Sequence, residues 1–275
     1  MPPTPAIKDW LSSATSKLSA AGIDTARLDA EIILAFVLNS NRIYLHTHPE
    51  QIIYATQYKL ANRKLSLRLK NIPIAYITGC KEFYGRDFLV TKNTLIPRPE
   101  SETIIDNLKK IVGQNDQLNL ADIGTGSGCL GITAKLEMPN LNVTISDISP
   151  NALKIASKNA DILSADVKIK KSNLLTKFNE KLDIIIANLP YVDKTWERSP
   201  ETAYEPKSAL FAGDKGKSII KDLITQSHDM LNSRGYLIIE SDPVQHQSLI
   251  EFAKKFNFEL INKDNFILTF RLMSK

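Results

Sequence analysis

The chain has 275 residues, 43% of them hydrophobic and 24% charged, which excludes global disorder and allows one large core or two smaller ones. The formal net charge of +5 is spread along the chain, so it suits an acidic or phosphate-bearing partner but identifies none. Neither cysteine, Cys80 or Cys129, has metal-ligand spacing, which argues against a disulfide framework and a zinc site. No signal-peptide pattern and no apolar segment of membrane-spanning length occurs, so we expect a cytoplasmic protein without a membrane partner.

Residues 4 to about 70 are predicted to be helical throughout. Apolar residues recur at helical spacing in three segments, and Asp24 is predicted to cap the second helix. The third helix carries a stripe of basic residues: Lys59, Arg63, Lys64, Arg68 and Lys70. Two explanations stay open for this stripe, a solvated helix face, which we favour, or a docking face for a large acidic or RNA-bound partner. The segment contains no catalytic cluster, and we predict a separate helical domain over residues 1–73.

A linking segment is predicted over residues 74–95. Glycines and alternating aromatic residues favour a β-hairpin between Ile74 and Val90. Two prolines then bracket Arg98 and predict a stiff, extended entry into a helix from about Ser101 to Ile111. An ordinary capped helix start explains this pattern, and a rigid lid over a neighbouring pocket is the functional alternative.

From Leu118 onwards strands alternate with helices, which predicts an α/β domain with a parallel sheet over residues 96–275. The last two predicted strands form a hairpin and would add an antiparallel strand. The predicted strands are residues 119–123, 143–147, 167–170, 182–187, 235–241, 257–262 and 266–272.

A glycine-rich motif, Asp122-Ile-Gly-Thr-Gly-Ser-Gly128, follows the first strand and opens a helix. Glycines at alternate positions let the backbone turn tightly and approach a ligand closely. The spacing differs from the dinucleotide fingerprint, and no Lys-Ser/Thr ending for nucleotide triphosphates is present. The candidate cofactor-binding residues here are Asp122, Gly124, Thr125, Gly126, Ser127 and Gly128.

Two further strand ends add ligand-binding side chains. Asp147 ends the second strand, where a carboxylate can accept both hydroxyls of a ribose. Asp122 can pair with the amino group of an amino-acid moiety. Asn173 and Leu174, after the third strand, can bond to and pack on adenine. A ligand with ribose, adenine and an amino acid but no pyrophosphate is S-adenosylmethionine, which we predict as the cofactor.

The fourth strand is an apolar run, Ile184 to Ala187, too short for a helix and typical of a strand buried on both faces. It delivers Asn188-Leu-Pro-Tyr191 to the edge where ligands bind in open α/β sheets. An amide, a proline-restrained backbone and an aromatic ring together suit a flat, NH2-bearing group. An ordinary Asn-x-Pro turn after a strand is the simpler explanation.

Taken together the motifs resemble the HemK/PrmC family, the protein-glutamine N-methyltransferases that modify peptide chain release factors. The resemblance covers nearly the whole chain, with two departures. Leu189 replaces the first proline of the family's Asn-Pro-Pro-Tyr motif, and Glu240-Ser-Asp242, followed by Gln245, replaces its Glu-Ile-Gly pattern. The remaining motifs that carry the resemblance are Phe83-Tyr-Gly85, Ile96-Pro-Arg-Pro-Glu-Ser-Glu102, Tyr204-Glu-Pro206 and Ala209-Leu-Phe-Ala-Gly213.

The resemblance implies a Rossmann-like class I methyltransferase with a seven-stranded sheet and a small N-terminal helical-bundle domain that docks the substrate. The implied substrate is the glutamine amide in the Gly-Gly-Gln loop of a release factor. Asn188 and the carbonyl of Leu189 would accept its two N–H bonds, beside Pro190. Tyr191 and Phe83 would pack around the substrate and Arg98 would brace the pocket. No metal, no direct nucleic-acid substrate and a monomer are expected.

Two alternatives stay open at this point. An adenine N6-methyltransferase acting on DNA or RNA uses a similar motif on a flat amino group, although it would need a basic groove and base-stacking aromatics. A binding protein that kept the fold and lost catalysis is the other, with Leu189 as the sign of that loss.

Overall fold

The computed structural model describes residues 4–274. They fall into two compact units, the residues up to Gly79 together with Ser199–Tyr204, and Cys80–Arg198 together with the residues from Glu205 onwards. The helices of the first unit are α1 Ile7–Ala20, α2 Ala26–Leu38, α3 Arg42–Thr47, α4 Ala55–Arg68 and α5 Ile74–Thr78. Those of the second unit are α6 Glu102–Ile111, α7 Cys129–Glu137, α8 Pro150–Ile162, α9 Lys207–Leu210, α10 Gly213–Gly216, α11 Ser218–Met230 and α12 His246–Lys254.

The first unit is a helical bundle around its own apolar core, as predicted. Trp10, Leu11 and Leu18 of α1 are buried in that core because they share one helix face. One prediction was wrong in detail. The residue before α2 is Thr25 rather than Asp24, and the Thr25 hydroxyl donates to Asp29 instead of capping the helix.

The basic stripe of α4 is not a uniform solvated face. Arg68 is 3% exposed and donates from Nε to Asp29 at 2.6 Å and from Nη2 to Glu201 at 2.5 Å. Lys64 donates to the carbonyl of Ile77 at 2.6 Å. The long methylene chains of lysine and arginine let their charged ends reach these oxygens, which the spacing of charges along a helix does not reveal.

The predicted hairpin is shorter than expected, because its first residues are helical. Ile74–Thr78 forms α5, and the hairpin itself is β1 Cys80–Phe83 paired antiparallel with β2 Arg86–Leu89. Gly79 has φ +80° and ends α5 in the left-handed region, where glycine carries no steric penalty. The glycine therefore marks a helix end rather than a strand.

The second unit is built on a seven-stranded sheet in the order β5-β4-β3-β6-β7-β9-β8. The first five strands in that order are parallel, and the last two add the predicted antiparallel hairpin. Chain order reverses on the two sides of β3, which opens a crevice at the carboxyl ends of β3 and its neighbours. The strands are β3 Asn119–Ile123, β4 Asn142–Asp147, β5 Lys168–Lys171, β6 Leu182–Ala187, β7 Leu231–Glu240, β8 Phe258–Asp264 and β9 Ile267–Leu272.

Strand β6 is buried on both faces, as its apolar run predicted. Ile184 and Ile186 belong to the core on one side of the sheet, and Ile185 and Ala187 to the core on the other. This alternation follows from the two-residue period of a strand between two helical layers. The central position of β6 aims Asn188 at the middle of the crevice. Among residues 4–274 no helix has the length and apolar character needed to cross a bilayer.

Candidate active site

A cavity of about 740 Å³ opens at the carboxyl edge of the sheet, within the second unit. The ends of β3, β4, β5 and β6 form its floor, and the segment from Lys92 to Ser101 and the face of α11 with Ile219 and Gln226 form its walls. Its size suits a cofactor together with part of a substrate. The predicted site residues that line it are Arg98, Gly124, Thr125, Gly126, Ser127, Asp147, Asn173, Leu174, Asn188, Leu189 and Pro190.

The glycine loop, defined as Gly124–Gly128, is held by hydrogen bonds from its own backbone. The amides of Gly124 and Thr125 both donate to the carbonyl of Ser146 at 2.9 Å. The amide of Gly126 donates to Asp147 at 3.0 Å. All three glycines have positive φ, between +57° and +86°, a conformation that other residues adopt only with strain. The loop therefore turns sharply away from β3 and presents backbone to the cavity.

Asp122 lies beneath the glycine loop and does not reach the cavity surface. It is fully buried, and its Oδ2 accepts from the Thr125 hydroxyl at 2.5 Å and from the Gly131 amide at 2.9 Å. Its Oδ1 has no hydrogen-bond partner. Burial raises the pKa of this carboxyl to about 6. The direct contact expected from the sequence is not available to a side chain with no exposed atom, and Asp122 instead acts on the ligand through the loop above it.

Asp147 is placed as the sequence predicted, at the end of β4 and on the cavity. One carboxylate oxygen accepts from the Ser149 amide at 2.8 Å and the other from Gly126. Burial raises the pKa of Asp147, and these backbone donors oppose the rise. Each oxygen retains acceptor capacity toward the cavity. Asn173 and Leu174 line the adjoining wall, where Leu174 has φ +49° and is one of the strained non-glycine residues.

The amide loop, defined as Asn188–Tyr191, follows β6 and is held by distant side chains. Asn188 Nδ2 donates to Ser101 Oγ at 2.9 Å, and Ser101 Oγ donates to Glu240 at 2.5 Å. Glu240 is 1% exposed and also accepts from the Tyr191 hydroxyl at 2.9 Å. Burial raises the pKa of Glu240, while the donors of Ser101, Tyr191 and Asn188 oppose that rise.

The backbone of the amide loop is clamped from a second side. Gln245 Nε2 donates at 2.8 Å to the carbonyl of Tyr191 and at 2.8 Å to the carbonyl of Lys215. Gly216 packs against the same Tyr191 carbonyl so tightly that a Cβ there would lie 1.9 Å from its oxygen. Tyr191 does not line the cavity; its half-buried ring lies behind the loop, and burial raises the pKa of its hydroxyl. Its predicted packing on a substrate is replaced by this anchoring contact.

Leu189, which stands where the related family has proline, is a packing residue. It is 5% exposed, and its Cδ2 lies 2.7 Å from the position of a Cβ on Gly124. The leucine side chain therefore occupies the space that the missing side chain of Gly124 leaves, and Leu189 lines the cavity.

Arg98 lines the cavity and is tied back to the protein. Its Nη2 donates to Glu205 at 2.5 Å, and Glu205 also accepts from the Ile96 amide at 3.1 Å. The carboxylate is 5% exposed, so the pair stiffens the proline-rich segment on that wall. The role of Arg98 in bracing the pocket stays a prediction.

Phe83 corrects another sequence-based expectation. It is 1% exposed and packs edge-on against Phe88, with ring centroids 6.2 Å apart. Its alternation in the hairpin places it in the core beneath β1, so it is unable to contact a substrate. Cys129 does line the cavity, but burial raises its thiol pKa to about 12, so it is a protonated packing group.

The structure adds residues to which the sequence assigned no role. These residues lie in or beside the motifs on which the family resemblance rests, and they are Ser101, Glu205, Glu240 and Gln245. Their place in those motifs is the one sequence signal that could have pointed to them. The partners described above are 30 to 139 positions away along the chain, and no spacing rule connects such pairs.

The site fits S-adenosylmethionine on its own chemistry. The glycine loop leaves room for a ligand against backbone, and Asp147 on the cavity retains acceptor capacity for ribose hydroxyls. Within residues 4–274 no group of three or more His, Cys, Asp or Glu side chains is arranged to hold a metal ion.

Comparisons with known proteins agree with this geometry. Residues 9–79 match the model of the PrmC N-terminal domain, and residues 99–203 match that of the methyltransferase small domain. The chain also shares its fold with a methyltransferase from Pyrococcus furiosus, at a TM-score of 0.55 and 20% identity, covering 78% of this chain and 99% of that one.

Two curated relatives extend over nearly the whole chain. The release factor glutamine methyltransferase of Koribacter versatilis is 38% identical over 267 residues, 93% of each chain. That of Leptospira interrogans is 36% identical over 277 residues, covering 95% of this chain and 96% of the relative. Because both relatives match this chain over nearly its whole length, this chain belongs to the release factor glutamine methyltransferase family.

Proposed function

We propose that this enzyme transfers a methyl group from S-adenosylmethionine to the side-chain amide nitrogen of the glutamine in the Gly-Gly-Gln loop of a peptide chain release factor. The observation that carries the chemistry is the placement of the Asn188 amide on the cavity, beside Leu189 and Pro190. Its Nδ2 is engaged by Ser101, so its Oδ1 remains as an acceptor for a substrate NH2 group.

The proposed role of the amide loop is to hold a poor nucleophile in line for transfer. The lone pair of an amide nitrogen is delocalised into its carbonyl, so positioning has to supply much of the rate enhancement. Asn188 Oδ1 and the backbone carbonyl of Leu189 accept the two N–H bonds of the glutamine. Both acceptors also stabilise the positive charge that develops on nitrogen as the new bond forms.

S-adenosylmethionine, when bound, supplies a methyl group on a positively charged sulfur that leaves as a neutral thioether. The nitrogen–carbon bond forms as the sulfur–carbon bond breaks, and one amide proton then departs to solvent. Asp147 would hold the ribose hydroxyls, and Asn173 and Leu174 would receive the adenine. The glycine loop would accommodate the amino-acid end, and Asp122 beneath it holds the loop through Thr125 and Gly131.

We assign substrate docking to the helical domain over residues 1–73, linkage to residues 74–95 and catalysis to residues 96–275. The separate apolar core of the helical unit supports an independent role for it. We further propose that the enzyme acts as a monomer. Since release factors act on the ribosome, we place the reaction in the cytoplasm.

The decisive experiment measures methyl transfer from labelled S-adenosylmethionine to a purified bacterial release factor. We expect label on the wild-type factor and none on a factor whose Gly-Gly-Gln glutamine is replaced by alanine. The Asn188→Ala enzyme should bind the cofactor normally and lose turnover by about 1,000-fold. Label on both factors, or label only on adenine in DNA or RNA, would overturn the proposal.

A further inference from the structure

The orientation of the Asn188 side chain decides whether the enzyme can recognise an NH2 group. An asparagine amide presents a carbonyl oxygen on one side and an NH2 group on the other, and the two are nearly equal in shape. With Oδ1 toward the cavity the loop accepts hydrogen bonds from the substrate. With the amide flipped, Nδ2 would face the substrate nitrogen, and two donors would oppose one another.

We propose that Ser101 and Glu240 are positioning residues that fix the direction of the Asn188 amide; this inference rests on the proposed glutamine methylation and adds the origin of its substrate recognition. The two residues are 2% and 1% exposed, so no solvent is available to substitute for a missing partner. They come from the start of α6 and the end of β7, on opposite sides of Asn188 in the chain.

With Glu240 ionised, the chain of hydrogen bonds has one consistent direction. A carboxylate accepts and never donates, so Glu240 Oε2 takes the single proton of the Ser101 hydroxyl. The hydrogen bonds from Ser101, Tyr191 and Asn188 favour this ionised form and oppose the effect of burial on the pKa of Glu240. Ser101 Oγ is then left to accept, and the atom of Asn188 that lies 2.9 Å away has to be the donor Nδ2. The carboxylate also takes the Tyr191 hydroxyl proton at its Oε1, which anchors the other end of the amide loop.

A glutamine at position 240 has nearly the same shape as glutamate but breaks this direction. Its NH2 group would donate to one of the two hydroxyls that now donate to the carboxylate. If the glutamine NH2 group faced Ser101, the serine hydroxyl would no longer donate to position 240 and could donate to Asn188. That arrangement favours the flipped amide of Asn188. The direction therefore depends on charge at Glu240 and on the hydroxyl of Ser101, not on volume.

The first test measures kcat, KM for the release factor and cofactor affinity for Ser101→Ala, Ser101→Thr and Glu240→Gln. We expect Ser101→Ala and Glu240→Gln to lower kcat by about 10- to 100-fold with cofactor affinity within about twofold of wild type. Ser101→Thr keeps the hydroxyl and should recover most of the turnover. In an Asn188→Ala background, Ser101→Ala should cause no further loss, because its effect passes through Asn188. Unchanged kcat in Ser101→Ala, or a full additional loss in the double variant, would overturn the inference.

The second test needs no substrate and so separates this inference from the proposed function. In protein carrying ¹⁵N-asparagine, the side-chain NH2 signal of Asn188 is identified by its loss in Asn188→Ala. We expect these protons to be protected from exchange with solvent in wild type and Ser101→Thr, and to exchange at least about tenfold faster in Ser101→Ala. Equal exchange in Ser101→Ala and wild type would overturn the positioning role even if the release factor is methylated. A protected signal with no methylation of a release factor would uphold the positioning and overturn the proposed substrate.

Discussion

The glycine loop and the amide loop leave neighbouring strands of one sheet, yet their hydrogen-bond partners lie at different distances along the chain. The glycine loop is held by Ser146 and Asp147, about 20 residues away, and by Asp122 directly before it. The amide loop is held by Ser101, 87 positions before Asn188, and by Glu240 and Gln245, 49 and 54 positions after Tyr191. The glycine loop is therefore held by contacts within one β-α-β unit, whereas the amide loop is held by contacts from distant parts of the second unit.

The largest loss of turnover is expected when a new side chain disrupts the contact of Gly216 and Gln245 with the Tyr191 carbonyl. In Gly216→Ala the new Cβ would lie 1.9 Å from the Tyr191 carbonyl oxygen and 2.5 Å from Gln245 Nε2, at a φ of +84°. The loop has to move, and we expect turnover to fall by about 1,000-fold while cofactor affinity changes little. Gly213→Ala in the same turn meets only Ser218 at 3.4 Å and is the matched control for the labelled-methyl assay. Equal turnover in the two variants would contradict a role for this contact.

The next largest effect concerns Asp122, which lies beneath the glycine loop. It is a change with pH in the free energy of unfolding. Burial raises the pKa of Asp122 to about 6 from its ordinary 3.8, so its contribution to stability is present below about pH 4 and is lost as the pH rises through 6. Relative to Asp122→Asn, the free energy of unfolding of the wild type should fall by about 3 kcal/mol at most between pH 4 and pH 7. Urea unfolding at a series of pH values measures this difference. Parallel curves for the two proteins would show that the carboxyl titrates normally.

Deleting the side chain of Gln245 should lower turnover less than the steric clash in Gly216→Ala does. Gln245→Ala deletes both 2.8 Å hydrogen bonds to the carbonyls of Tyr191 and Lys215. We expect kcat to fall by about 10- to 100-fold and stability by about 2 kcal/mol, with cofactor affinity unchanged. Gln247→Ala, where an exposed glutamine bonds only Glu251, is the control. A fall in cofactor affinity would show that the two loops are not separable.

The smallest effect is expected from restoring the family's proline. Because side chains from elsewhere already hold the amide loop, Leu189→Pro should change turnover by less than about threefold. It also removes leucine packing against Gly124 and should lower the free energy of unfolding by about 1–2 kcal/mol. Steady-state kinetics and thermal unfolding measure both changes. A tenfold rise in turnover would show that the local backbone limits the reaction after all.

Secondary structure was predictable wherever local periodicity dominates. The strand at 119–123 and that at 182–187 were found at the predicted residues, and α6 begins within one residue of its predicted start. The prediction was wrong for Ile74–Thr78, where five residues form a helix ended by Gly79. A single helical turn is too short to show a period, so tertiary contacts decided it.

The sequence by itself determined the glycine loop, Asp147 at the next strand end and the arrival of Asn188 at the crevice, because each depends on neighbours within one strand-loop-helix unit. It also contained the motifs that place the chain in its family. Only the tertiary structure decided that Phe83 is core, that Asp122 lies beneath the loop and that Ser101 and Glu240 hold Asn188. The physical reason is that burial and long-range hydrogen bonds depend on which segments fold against one another, and a linear pattern records only what lies next to a residue along the chain.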